Sequence, residues 1–244
     1  MARGPSPLQQ IVRWIAAGAA FGLVVLFAAY ATLPDVRPLA AHNPQDTAFI
    51  ELRAAQAHAR AETPKRVQYW VSYARISPNL KRAVLVAEDS AFWTHEGIDV
   101  EQLRESMELN LERMEFARGA STITQQLAKN LYLSPRKDPL RKFRELLLAR
   151  DLEAALSKRR ILELYLNVIE WGDGIYGAEA ASRAYFGEPA SALSAEHAAL
   201  LAGAIINPHL FNPGAPNRRL LARQRLILRR MGAATPPPEM AALP

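Results

Sequence analysis

Residues 119–132 read GASTITQQLAKNLY, and the pattern is that of a turn opening into a polar, cap-rich helix. Gly119 and Ala120 permit a tight turn, while Ser121, Thr122 and Thr124 crowd the helix start. Thr122 followed three residues later by Gln125 has the spacing of a capping box. Exposed N–H groups and the helix dipole at such an end favour an anion. Lys129 lies four residues beyond Gln125, on the same helical face, so an amide and an ammonium can reach one ligand. Capping accounts for Thr122 and Gln125 but gives no reason for Ser121, Gln126, Lys129 and Asn130.

Working outward, helix signals dominate. Asp99 with Gln102 forms another capping pattern, and Asp138-Pro139 sets a cap beside proline at the first helical position. Ser157 precedes KRRILELYLN, Ser194 precedes AEHAALLAGAII, and Asn207-Pro208 follows that last segment. Thr47 to Glu62 is alanine-rich and helical in pattern, and strand-like alternation is confined to pieces such as Val67 to Tyr73. The expected body is mainly α-helical, with loops between short helices framing a groove.

Two charged groups flank the opening stretch. Upstream, Glu88-Asp89 follows the apolar AVLVA and precedes Phe92, Trp93 and His95. A general base working near neutral pH needs a carboxylate partly shielded from water by apolar neighbours; a solvated acidic pair at a helix end fits this fragment equally. Asp99 suits a helix cap and His95 a hydrogen-bonding scaffold role. Downstream, Arg136, Lys137, Arg141, Lys142 and Arg144 put five cations within nine residues next to a helix start, a pattern suited to gripping a diphosphate. Glu145 sits among them, and an i,i+4 pair with Arg141 is its plainest structural role.

Composition narrows the classes. A chain of 244 residues with 50% hydrophobic content builds one domain with a sizeable core. No cysteine is present, which removes disulfides and thiolate metal sites. The five histidines show no paired metal spacing. The formal charge of +6 calls for an anionic partner without choosing among nucleic acid, anionic lipid and phosphorylated substrate. The amino terminus makes that choice. From Trp14 to Pro34 there is no charge, and Ile15 to Leu33 is an apolar run of nineteen residues, close to the ~20 that span a bilayer core. Ala29-Tyr30-Ala31 has the small-residue pattern of a cleavage site, but the run exceeds the ~7 to 15 apolar residues of a signal peptide. Arg3 and Arg13 before the run place the amino terminus in the cytoplasm and the remainder outside, so nucleic acid is not the expected partner.

Two motifs fail on context. GDGIYG, Gly172 to Gly177, matches the glycine spacing of dinucleotide sites but follows a helix pattern instead of a strand, and reads as a turn. Ser134-Pro135-Arg136-Lys137 has the S-x-x-K form without its S-D-N or K-T-G partners, and reads as a loop. The cluster Arg218, Arg219, Arg223, Arg225, Arg229 and Arg230, interleaved with leucines, either lies on anionic lipid or packs its apolar face on the body.

EDSAFWTHEGID, GASTITQQLAKNLYL, RKFRELLLARDLE and KRRILELYLNVIEWGDGIYGAEAASRAYFG, together with LSAEHAALLAGAIINP, resemble the ordered motifs of the peptidoglycan glycosyltransferases. The likeness runs from about Tyr73 to Pro213 and is to the monofunctional biosynthetic branch, similar to the glycosyltransferase domain of class A penicillin-binding proteins. It implies a mainly α, lysozyme-like domain preceded by one N-terminal transmembrane helix. The implied layout is a cytoplasmic tail at 1–13, an anchor at 14–34, a connector and helix at 35–66, the glycosyltransferase domain at 67–231 and a disordered tail at 232–244. The implied substrate is lipid II, polymerised into glycan strands at the outer face of the inner membrane.

Carried onto this chain, the resemblance makes Glu88 the catalytic base with Asp89 as polar support. Ser121, Gln126, Lys129, Lys137, Arg141 and Lys142 bind substrate beside Glu145, the second catalytic carboxylate, whose task is to orient a lysine or a divalent cation. Arg136 stands beside Lys137 as an alternative contact. No cofactor is obligatory, with magnesium or manganese the candidate cation. The expected partners are lipid II, the growing strand and the membrane, with cell-wall synthesis or division proteins as further candidates. Leu103, Met107, Leu111 and Met114 recur at helical spacing, in a region that the resemblance makes a mobile jaw near the membrane. The rival activity is lysozyme-like cleavage of the same polymer, and the rival class is a non-catalytic scaffold.

Overall fold

The computed structural model describes residues 6–113, 121–133 and 139–233. Ten α-helices, three short 3-10 helices and one small sheet account for the regular structure among them. The first helix, α1 (Pro7–Ala31), starts at a complete capping box, in which Ser6 accepts from the Gln9 N–H and the Gln9 side chain accepts from the Ser6 N–H. That box and Pro7 at the first helical position start the helix ahead of the apolar run. The most apolar stretch of α1 is long enough to cross a membrane, and none of it is buried against the rest of the chain.

After a 3-10 turn at Arg37–Ala40, α2 (Ala48–Ala59) is capped by Thr47. The body then runs through α3 (Pro78–Glu88), α4 (Val100–Arg113), α5 (Ile123–Tyr132), α6 (Pro139–Ala155) and α7 (Lys158–Val168). It closes with α8 (Ala178–Phe186), α9 (Ala195–Ala204) and α10 (Arg218–Ala233). Thr122 caps α5 by accepting from the Gln125 N–H at 3.2 Å. Ile123, Leu127, Ala128 and Leu131 then fall on one stripe and are buried against α6 and α7. Each such burial contributes roughly 1.5–3 kcal/mol for the larger side chains. The opposite face of α5 is thereby fixed outward, and it carries Gln126 and Lys129. In α7, Ile161, Leu162, Leu164, Tyr165, Leu166 and Val168 are all buried, so this helix runs through the centre of the body.

The capping residues Asp99, Ser157 and Ser194 each accept from the backbone N–H three residues on. Asp138 and the S-x-x-K string lie outside the described residues. One capping box is only half made: the Gln125 amide donates to the Gly97 carbonyl and its oxygen accepts from Lys142, so it does not return to Thr122.

The expected strand at Val67 to Tyr73 shortens to β1 (Val67–Gln68). Beyond it the Asn167 side chain takes both polar groups of Val71, accepting from its N–H and donating to its carbonyl at 2.9 Å each. β1 runs parallel to β3 (Ile175–Tyr176), which pairs antiparallel with β2 (Glu170–Gly172). GDGIYG is thus the turn of a hairpin. Gly174 has φ +73° with a Lys65 atom 2.4 Å from where a Cβ would stand, and Gly177 has φ +83° with the Asn167 carbonyl oxygen 2.7 Å away. Conformation and crowding, and not phosphate binding, require these glycines.

The arginine-rich α10 takes the packing option. Leu220, Ile227 and Met231 are buried, the helix lies on α9 and α3, and the Arg223 Nε donates to the Gly203 carbonyl at 2.9 Å. In α4, Leu103 is 43% exposed, whereas the side chains of Met107, Leu111 and Met114 lie outside the described residues.

Candidate active site

Glu88 is the last residue of α3, and the outward face of α5 meets it there. The Gln126 Nε2 donates to Glu88 Oε2 at 2.9 Å, and the Tyr165 hydroxyl donates to Gln126 Oε1 at 2.9 Å. Tyr165 is wholly buried in α7, so the core sets the orientation of the amide and the amide sets that of the carboxylate. Burial pushes the Glu88 carboxyl above the ordinary carboxylate range. The Gln126 hydrogen bond and the charges of Arg223 and Lys129 oppose this, and neighbouring Asp89 adds to it.

Asp89 does different work. Its side chain is completely buried and accepts from the Ile123 N–H at 2.9 Å, at the first turn of α5. His95 Nε2 lies 2.9 and 3.0 Å from its two oxygens. Because the Gly97 N–H donates to His95 Nδ1 at 3.1 Å, the proton of the neutral ring sits on Nε2 and is donated to Asp89. The Gly97 carbonyl accepts in turn from the Thr122 hydroxyl at 2.7 Å. Asp89, His95 and Thr122 therefore tie the end of α3 to the start of α5, and Asp89 is placed to support the site from beneath.

A second cluster forms where α6 crosses the start of α5. Lys142 Nζ donates to Glu145 Oε1 at 2.6 Å, to Gln125 Oε1 at 3.1 Å and to Ser121 Oγ at 3.3 Å. These match the three protons of an ammonium group. Glu145 is buried, and its other oxygen accepts from Arg141 Nη1. With both oxygens committed to cations, Glu145 holds Arg141 and Lys142 in place. A divalent cation does not suit this set, since it would meet two positive groups at the one carboxylate that the described residues of this cluster offer. Among the described residues no group of three or more His, Asp and Glu side chains could hold a metal ion.

Lys129 lies between the two clusters. It makes no hydrogen bond among the described residues, and its Nζ lies over the Phe49 ring of α2, 5.8 Å from the centroid. Burial and the nearby charges of Arg141 and Lys142 pull its ammonium below the ordinary lysine range, while Glu145 and Glu88 hold it up. The sequence places Ser121, Gln126, Lys129, Arg141 and Lys142 in one neighbourhood with Glu88 and Glu145, and the fold brings all of them together. Lys137 and Arg136 lie outside the described residues. Arg144 leaves the cationic run. It donates to the Thr32 hydroxyl and carbonyl at 3.1 and 3.0 Å, at the carboxy-terminal end of α1 where a cation complements the dipole.

A carboxylate with a raised pKa can accept a proton, and the cations beside it can take up charge on a leaving group. Sequence comparison shows which family carries this arrangement. Residues 55–232 match the transglycosylase family model. The chain belongs to the transglycosylase family. The biosynthetic peptidoglycan transglycosylase of Laribacter hongkongensis is 45% identical over 226 residues, covering 91% of this chain and 97% of that protein. Its namesake in Thiobacillus denitrificans is 43% identical over 232 residues, covering 94% and 100%. The one from Nitrosomonas eutropha is 46% identical over 196 residues, covering 80% of each. The mainly α, lysozyme-like architecture is that of this family, and the match starts inside α2 and closes within α10, leaving α1 outside it.

Two members of the candidate site, Tyr165 and Arg223, went unread in the sequence. Tyr165 had a signal, since a tyrosine in the apolar run ILELYLN needs a hydrogen-bond partner when buried. Gln125 was read as a cap partner and as an amide sharing a ligand with Lys129, and the fold instead gives its oxygen to Lys142. Arg223 had no local signal, because its approach to Glu88 depends on how α10 packs.

Proposed function

We propose that this transglycosylase polymerises lipid II into β-1,4-linked glycan strands, using Glu88 as the base and Lys129, Arg141 and Lys142 as the groups that meet the diphosphate. Peptidoglycan glycosyl transfer is the activity that family membership and the relatives carry to this chain. The observation that carries the finer reading is the position of Lys129, within electrostatic reach of both Glu88 and the Glu145 cluster. One proton acceptor and the cations are thereby set side by side.

The acceptor's 4-hydroxyl gives its proton to the Glu88 carboxylate as its oxygen bonds to the donor's anomeric carbon. The bond from that carbon to the phosphate oxygen breaks, and undecaprenyl diphosphate leaves with the electron pair. Its charge falls on the cations. Attack opposite the leaving group turns an α-linked donor into a β linkage. A diphosphate leaves without protonation, so a second carboxyl acting as acid is not needed, and Glu145 is engaged by two cations instead. Hydrolysis of a neutral glycosidic bond does need such an acid, which counts against the lytic reading.

The Arg144–Thr32 contact supports a membrane-borne donor, because it seats the cationic end of α6 at the end of the anchor helix. In this reading the amino terminus is cytoplasmic, α1 crosses the inner membrane once, and the catalytic domain stands in the periplasm. The purified protein given lipid II is expected to form long strands and to leave preformed glycan intact. Cleavage of preformed glycan without strand synthesis would replace this reading with the lytic one.

A further inference from the structure

All of the surplus positive charge of this chain lies on one helix. The sequence holds 30 Lys and Arg against 24 Asp and Glu, and α10, with six arginines and no acidic residue, accounts for the whole excess. Packing takes up the apolar side of that helix. Leu220, Ile227 and Met231 fall within about 40° of one another, at about 100° per residue, and are buried where α10 lies on α9 and α3. Arg223, at the margin of that stripe, gives its Nε to the Gly203 carbonyl.

Opposite the buried stripe stand Arg218, Arg225 and Arg229, spaced i, i+7 and i+11 and likewise within about 40° of one another. All three are exposed, as are Arg219 and Arg230 on one flank and Ala222 between them. The row is about 16 Å long. Among the described residues no carboxylate pairs with any of these arginines. Arg225 and Arg229 are, moreover, a like-charge i,i+4 pair, an arrangement that weakens a helix until an anion covers it.

We propose that this row is a docking surface for an acidic helix of another protein. Guanidinium groups take carboxylates in a two-pronged geometry that a point charge does not match. A partner helix with Asp or Glu at the same seven- and four-residue intervals sets one carboxylate against each arginine. A lipid surface fits less well, because a helix that lies in a membrane interface sinks an apolar face between the headgroups. The apolar face of α10 is already used on α9 and α3, and Leu226 is its one exposed leucine. The anchor helix meets the body chiefly at α6. Nor does the row serve the diphosphate: the arginine of α10 whose charge reaches Glu88 is Arg223, which is not part of it.

The test is fluorescence anisotropy of full-length protein in detergent with three labelled helical peptides of identical composition. Two carry three glutamates on one face at seven- and four-residue intervals, in the two possible orders, to meet the row parallel or antiparallel. The third spreads its glutamates around the helix. One ordered peptide should bind about tenfold or more tightly than the spread one. Combined Arg218→Gln, Arg225→Gln and Arg229→Gln should weaken it about 10- to 100-fold, at about 2- to 5-fold for each exposed charge pair. Strand synthesis and thermal melting should match wild type, since glutamine is a good helix former. If the triple variant melts early, wild type decides: the ordered peptide should lose at least about tenfold in affinity between about 50 and about 500 mM salt. Equal affinity for ordered and spread peptides overturns the proposal, as does binding insensitive to salt or a folded triple variant within about twofold of wild type. Protection of α10 from hydrogen exchange by phosphatidylglycerol nanodiscs, with no preference for an ordered peptide, assigns the row to lipid and overturns it as well.

Discussion

Gln126 holds Glu88: its amide nitrogen is 2.9 Å from Oε2, and its own oxygen is pinned by the buried Tyr165 hydroxyl. The carboxylate proposed as the base of this peptidoglycan glycosyltransferase is therefore oriented by the protein core through one amide. The hydrogen bond also restrains the rise in the Glu88 pKa that burial produces.

Tyr165→Phe is expected to free that amide to rotate. Weakening the Gln126 bond removes an influence that lowers the Glu88 pKa, so the acidic limb of the pH–rate profile should move to higher pH. The neutral-pH rate should fall roughly 3- to 10-fold, the size of one hydrogen bond. A lower rate with an unmoved acidic limb would assign Tyr165 to packing alone.

The wild-type pH profile follows from two opposite shifts. A base must be deprotonated, and the Glu88 carboxyl is raised, so activity should climb with pH through a point above the usual glutamate value near 4.5. A charge-stabilising lysine must be protonated, and the Lys129 ammonium is lowered, so activity should decline at a pH below the usual lysine value near 10.5. The two limbs are thus drawn toward neutrality. Single-turnover rates across pH measure both, and Glu88→Asp and Lys129→Arg should each displace only its own limb.

Lys129→Ala removes the cation that reaches both carboxylates. Its loss should cost about 10²- to 10³-fold in kcat/KM for lipid II. Because Lys129 lowers the Glu88 pKa, the acidic limb should also shift upward. A fall in rate below tenfold would remove Lys129 from the diphosphate site.

Asp89→Asn is a stability test. The buried carboxylate accepts from His95 and from the first N–H of α5, and an asparagine can keep only part of that set. A loss of about 3–5 kcal/mol is expected, the range for breaking a buried, hydrogen-bonded charge. Urea unfolding of the detergent-solubilised protein reads it directly; an unchanged midpoint would show that the α3–α5 tie contributes little.

The helices and their caps were legible because they depend on neighbours in sequence. Thr122, Ser157 and Ser194 each cap through an N–H three residues away. The long apolar helix at the amino terminus was legible for the same reason. Its start was not, because the Ser6–Gln9 box begins it ahead of the apolar run. The strand at Val67 to Tyr73 was over-read, since Asn167, nearly a hundred residues away, occupies the polar groups of Val71. The site residues were legible as types, a shielded carboxylate and a cationic run, while their pairings were not. Glu145 shows the difference: sequence offers an i,i+4 pair with Arg141, and the fold adds Lys142, which also reaches Gln125 on α5 and Ser121 just before it. Arg144 belongs to the same run and serves α1 instead.

The most direct measurement is strand synthesis from lipid II by purified Glu88→Gln, whose amide keeps the size of the side chain and can still accept from Gln126. Removal of a buried, pKa-raised carboxyl should leave thermal stability equal to wild type or slightly higher. The rate should fall by about 10²- to 10⁴-fold, the contribution of a positioned base. Polymerisation within tenfold of wild type by the folded variant would contradict the assignment of Glu88 as the base.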